Sequence, residues 1–245
     1  MGEAIAVLSG KGGTGKTSVC AGVATALAAA GIKVLCIDCD IGLRNLDISL
    51  GLSQISALSF IDVSQGGYNL EQASVHPDYP CLHFLTAPMN CPPEKIDRQA
   101  FADMLRYARL QYQYIFLDAP AGIDAGFQLA AQYADRILLV TGSDPAAIRD
   151  AGRAGELLEL MGKQDIRLVV NRVNKKMATA MELTVDDVMD QAGLPLIGIV
   201  PDDPQVTLAA AFGNSLHKQT KRGASAACRR IAARLQGLCV PVSLK

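Results

Sequence analysis

Residues 10–17 read Gly10-Lys11-Gly12-Gly13-Thr14-Gly15-Lys16-Thr17, between an apolar run at residues 4–9 and an Ala-rich stretch at residues 16–30. A chain with this run must turn sharply from a strand into a helix. The glycines let the backbone curl with its N–H groups facing inward. The helix N-terminus adds partial positive charge to the same concavity. The run matches G-x-x-x-x-G-K-[ST] in full, the pattern that cradles the phosphates of a nucleoside triphosphate. In that pattern Lys16 reaches the β- and γ-phosphates and the Thr17 hydroxyl ligates Mg²⁺. Gly10, Gly12 and Gly15 also spell G-x-G-x-x-G, with Asp38 where a ribose-binding acid would sit. Lys16-Thr17 directly after the last glycine decides for a triphosphate and a metal over a dinucleotide.

Short apolar runs recur at residues 4–9, 33–38, 82–86, 114–118, 136–141, 166–171 and 196–200. They are continuous rather than alternating, as in strands covered on both faces. Helical patterns at residues 16–30, 98–110, 125–132, 146–161 and 182–192 separate most of them. The alternation predicts one α/β domain over residues 1–245, a P-loop fold with a mostly parallel sheet between two helical layers and a short tail at 237–245. Right-handed crossovers place the strand-to-helix loops along one sheet edge, where ligands bind. The long gap at residues 39–81 is expected to hold a functional loop and a short helix.

With 23 Lys and Arg against 24 Asp and Glu, the net charge of −1 gives no global attraction to nucleic acid or an anionic membrane. No basic signal peptide and no long apolar run is read, so a cytoplasmic chain is expected. The seven cysteines suit reduced thiols. Cys36 and Cys39 form a C-x-x-C, but a zinc site wants a second pair at matching spacing, so both read as small buried residues. His76, His83 and His217 have no ligand or triad spacing and are assigned no role.

A phosphate loop needs carboxylates at neighbouring strand ends. Tyr114-Ile115-Phe116-Leu117-Asp118 is an apolar strand ending in an acid, the Walker B pattern, and makes Asp118 a Mg²⁺ partner. Asp38 and Asp40 close another strand; one would serve the metal shell and the other the attacking water, and spacing does not separate them. Lys11 stands at the start of a loop that already has Lys16. It is either a solvated lysine or a charge supplied to a phosphate in a second subunit.

The loop at 11–17 resembles the deviant Walker A motif of the MinD/ParA family of ATPases. The run Asp38-Cys39-Asp40-Ile41-Gly42-Leu43-Arg44-Asn45-Leu46-Asp47 is similar to that family's switch segment. Asp118-Ala119-Pro120-Ala121-Gly122, Ile148-Arg149-Asp150, Asn171-Arg172 and Val200-Pro201-Asp202 extend the resemblance over most of the chain. Two departures are Thr14 in place of Val or Ile, and Ser18 in place of Thr; neither removes a phosphate contact. The resemblance implies ATP and Mg²⁺ as cofactors, with Gly10 to Ser18 around the phosphates. It implies Asn171 at the adenine base, Arg172 among the nucleotide-binding residues, Pro201 in the base pocket, and Asp40 helping to activate water. Lys11 would touch ATP across a dimer interface, and Arg44, Asn45 and Asp150 would lie at the dimer or partner surface. The implied activity is a slow, partner-stimulated ATP hydrolysis that times the placing of another assembly. Division-site selection comes first, with flagellar-number control or DNA partition as alternatives.

The implied partners are a second copy of the chain and a regulatory or cargo protein. A membrane surface enters through residues 224–236, where Ala227, Ile231 and Leu235 make an apolar stripe with Arg229, Arg230 and Arg234 elsewhere. The stripe is mostly small and lacks aromatics, so a last core helix is favoured over a peripheral contact with the inner membrane face. Lys175-Lys176 and residues 218–222 are modest basic clusters, and with few aromatics a nucleic-acid surface is not expected.

Overall fold

The structure, a computed structural model, describes residues 1–41, 43–89, 91, 93–174 and 184–242. Strand β1 (Glu3–Leu8) is buried from Ala4 onward and enters the glycine loop. Helix α1 (Lys16–Ala29) follows with Gly15 at its N-cap, in the left-handed region at φ 81°. The chain continues through β2 (Val34–Asp38), α2 (Leu46–Leu50), α3 (Phe60–Ser64), β3 (Ser74–His76) and β4 (Tyr79–Leu85). Next come α4 (Arg98–Gln111), β5 (Tyr114–Asp118), α5 (Ala125–Tyr133), β6 (Arg136–Thr141) and α6 (Pro145–Leu160). The last elements are β7 (Ile166–Val173), α7 (Val185–Ala192), β8 (Leu196–Pro201), α8 (Pro204–Ala211), α9 (Leu216–Gln219) and α10 (Gly223–Leu235).

The strands form one eight-stranded sheet in the order β3-β4-β2-β5-β1-β6-β7-β8. All pairings are parallel except β3 with β4. Alternate residues of β1 feed two cores, as the two-residue strand period requires. Ala4, Ala6 and Leu8 pack under α3 to α7, while Ile5 and Val7 pack under α1, α2, α9 and α10. The α1–α10 contact is close: a Cβ on Gly22 would lie 2.6 Å from the Cys228 sulfur.

Most expected boundaries fall within a few residues of those observed. The gap at 39–81 holds more than the one short helix expected: α2, α3, a 3₁₀ turn at Leu70–Gln72 and β3. These pieces are three to five residues long. That is too short for a periodic signal, and α3 is held by a Ser59/Asp62 capping box instead. α8 and α9 were likewise unexpected. Gly42, Lys175-Lys176, residues 182–183 of the helix expected at 182–192, and residues 243–245 of the tail lie outside the described residues.

The stripe of α10 is spent on the core. Ile231 is fully buried and Leu235 is 4% exposed, among residues of α1 and the sheet. At its C-terminal end the Arg234 guanidinium donates to the carbonyls of Ile197 (2.7 Å), Val240 (2.9 Å) and Pro241 (2.5 Å), which folds the start of the tail back on the domain. No helix among the described residues is long and apolar enough to cross a membrane.

Candidate nucleotide-binding site

Parallel register brings the ends of β2, β1 and β5 together: Val7 and Asp38 both pair with Asp118. The glycine loop therefore emerges beside two carboxylates. The Lys16 ammonium lies 2.7 Å from Asp118 Oδ1 and 3.2 Å from the Thr17 hydroxyl. Both side chains of the ion pair are buried, at 6% and 1% exposure. Burial works to lower the Lys16 pKa, but the Asp118 carboxylate outweighs it and holds the ammonium above its usual range. Burial raises Asp118, partly offset by Lys16 and the Thr17 hydroxyl.

Asp38 accepts the backbone N–H groups of Asp40 (2.8 Å) and Leu46 (3.2 Å), so it fastens the segment that follows β2. Burial first, and the Asp118 charge second, push its pKa up to about 7. Asp40 is half-buried and also raised, chiefly by burial, with Lys16 pulling it down. Cys36, on β2, and Cys39, just past its end, are both buried, and burial pushes both thiols up.

Residues 171–172 at the end of β7 reach the loop from the other side. The Asn171 amide donates to the Thr14 carbonyl at 2.7 Å, and the Arg172 guanidinium to the Gly13 carbonyl at 2.8 Å. Gly15 has no room for a side chain, since a Cβ would sit 2.3 Å from the Asn171 amide nitrogen. A cavity of about 300 Å³ opens beside this contact, lined by Gly15, Ser18, Asn171, Arg172 and Pro201 together with Asp203, Val206 and Cys228. Of the wall from α8 to α10, the sequence predicts only the last helix; for α8 the Asp202-Asp203-Pro204 turn is the available signal.

The expected surface residues lie around this edge. Lys11 is exposed and 3.4 Å from Asp144 Oδ1, itself the N-cap of α6. Arg44 has a left-handed backbone (φ 48°) and donates to the Thr86 hydroxyl at 2.9 Å. Asn45 precedes α2 as its N-cap. The Asp150 carbonyl is 2.3 Å from where a Cβ on Gly10 would be, so the loop begins against α6.

The residues present fit a magnesium nucleotide. The Ser9 and Thr14 hydroxyls are buried with no hydrogen-bond partner. Asp118 and Asp40 act on Lys16, and the Asp38 carboxyl feels both of those acids, so the acids outnumber the one lysine in a way that a divalent cation would offset. No three His, Cys, Asp or Glu side chains converge as a metal cage among the described residues. Magnesium needs none, because it takes one or two carboxylates plus phosphate oxygens and water.

Comparison with known proteins agrees with this geometry. Residues 5–216 match the family described as the CobQ/CobB/MinD/ParA nucleotide binding domain. The septum site-determining protein MinD of Bacillus subtilis (strain 168) is 36% identical over all of this chain and 92% of its own length. The protein of that name from Synechocystis is 37% identical over 98% of this chain and 92% of its own. Among solved structures, the MinC:MinD cell division protein complex of Aquifex aeolicus superposes with a TM-score of 0.90 at 36% identity, covering 98% of both chains. MinD complexed with Mg-ADP from Pyrococcus horikoshii superposes with a TM-score of 0.83 at 26% identity, covering 96% of both. The phosphate loop, its partner carboxylate, the sheet order and these matches agree: the chain belongs to the MinD/ParA family of nucleotide-binding ATPases.

Proposed function

We propose that this chain binds Mg²⁺·ATP, dimerises on binding it, and hydrolyses it slowly to time the placing of the division site. The observation that carries the reading is the buried Lys16–Asp118 pair beneath the glycine loop, with Lys11 turned outward from the same loop. The loop N–H groups and Lys16 would hold the phosphates, and Thr17 and Asp118 the metal. Bound magnesium supplies positive charge that offsets the charge developing on the phosphates. Lys16 adds to that stabilisation from a buried position, where electrostatics are strong. Lys11 is too exposed to act on its own loop and would serve the site of a second copy. Asp40, half-buried beside Lys16, would orient water. A base would enter the cavity between Pro201 and Asn171.

Support for the division-site role comes from the relatives, which are septum site-determining proteins matched along nearly their whole length. The MinC:MinD complex among the structural relatives supports a regulatory protein partner. Because α10 is committed to the core, its stripe is not free to lie on a membrane.

The test is ATP turnover by the purified protein. Wild type is expected to release phosphate slowly and only with Mg²⁺, and Lys16→Ala to release none above background. Normal turnover in the variant, with its fold checked by circular dichroism, would overturn the reading.

A further inference from the structure

Two side chains from the end of β7 grip the outer surface of the glycine loop, and the geometry of the peptide bond says what that grip does. A trans peptide sets its N–H opposite its C=O. The Gly13 carbonyl is drawn toward Arg172, at 2.8 Å, and the Thr14 carbonyl toward Asn171, at 2.7 Å. The N–H groups of Thr14 and Gly15 belong to those same two peptides and must point away from β7. Two of the loop's donors are thus oriented by side chains more than 150 residues away.

Arg172 holds this contact from a backbone at φ 56°, a left-handed conformation that L side chains other than Asn and Asp seldom adopt. Arg44 is the one other non-glycine residue with positive φ among those described. Such conformations persist where the surroundings over-determine them, commonly at functional sites. Asn171 is fitted just as closely, filling the space a Cβ on Gly15 would need.

We infer that Arg172 is a positioning residue for the phosphate loop rather than a reader of the base: with Asn171 it latches the Gly13 and Thr14 carbonyls outward and so aims the Thr14 and Gly15 N–H groups at the phosphates. The latch rests on the nucleotide reading of the loop. It adds a specific separation of roles, because Arg172 lines the base cavity yet acts on a part of the nucleotide that every triphosphate shares.

The experiment compares binding of Mg²⁺·ATP, Mg²⁺·GTP and Mg²⁺·CTP to wild type, Arg172→Gly, Arg172→Asn and Arg172→Lys, by calorimetry or competition. Gly and Asn both accept the left-handed backbone, so the fold should survive, and thermal melting checks this. The latch predicts that Gly and Asn weaken all three nucleotides by the same factor, between about threefold and tenfold for one exposed hydrogen bond. The ATP to GTP preference stays unchanged. Arg172→Lys, which keeps a donor, should lose less. Amide NMR adds a second readout: with nucleotide bound, the Thr14 and Gly15 resonances should move in Arg172→Gly and return toward wild type in Arg172→Lys. A loss confined to ATP, a changed ATP to GTP preference, or no loss at all would overturn the latch. Failure of wild type to bind any triphosphate would overturn the nucleotide site itself.

Discussion

Asp38 concentrates the electrostatic cost of the site. Its carboxyl is buried beside Asp118 and Asp40, and Lys16 offsets the charge of those two acids rather than its own. Its pKa rises from 3.8 to about 7, so the folded chain holds a proton that the unfolded chain has released. Stability of the nucleotide-free protein is therefore greatest below that window and falls as pH rises through it, by at most about 1.4 kcal/mol per pH unit. Thermal melts should show wild type losing stability relative to Asp38→Asn between about pH 4 and about pH 7, with the difference level above that. The difference between the two proteins isolates Asp38 from buried His217, whose pKa, pushed down to about 4, works in the opposite sense. A constant difference across that range would show that Asp38 is ionised throughout. Lys16 behaves differently on removal. Taking one partner from a buried ion pair leaves the other uncompensated, so Lys16→Ala should also melt lower than wild type.

At the scale of elements, the cavity beside Gly15 and Pro201 depends on how two helices start. Asp203 accepts from Gln205 N–H with one oxygen (3.0 Å) and from Ala224 N–H with the other (2.9 Å). A single carboxylate thereby caps α8 and anchors the first turn of α10, and both helices line the cavity. Loss of a helix cap costs about 1 kcal/mol and up to about 2 kcal/mol in a protein. Asp203→Ala removes two such contacts and is expected to cost roughly twice the single figure. The thermal midpoint should drop and ATP affinity with it, because the cavity wall loosens. Unchanged ATP affinity in a destabilised variant would separate the cavity from these helix starts.

For the whole molecule, the exposed Lys11 is what a single chain leaves unused. Its side chain is 43% exposed and its one described ion-pair partner is Asp144 at 3.4 Å, an open surface contact of the kind worth little in water. Lys11→Ala should leave stability and ATP binding by the monomer intact. It should abolish ATP-driven dimerisation in light scattering and lower hydrolysis on the order of 10³-fold, as loss of a trans-acting cation does in related chemistry. A variant that still dimerises and hydrolyses normally would return Lys11 to the status of a solvated loop residue.

What was readable in the sequence is what lies close together along it. The glycine loop, Lys16, Thr17, and the acids at the ends of β2 and β5 appear as short motifs, because the strand, turn and helix that build them are consecutive. The parallel sheet was readable for a similar reason: its strands are continuous apolar runs separated by helices long enough to show a period. The tertiary structure alone decided which distant residues meet. Nothing in the spacing sets Lys16 against Asp118, or Asn171 and Arg172 behind the loop, because those meetings follow from the strand order β2-β5-β1-β6-β7. Nor does it close the cavity with α8 and α9, whose short or Ala-rich sequences carry little amphipathic signal. The apolar stripe of α10 admits a membrane or a core as a pattern, and its small residues favour the core. Its packing against α1 and the sheet is what the tertiary structure adds, because one face of a helix can be buried only once.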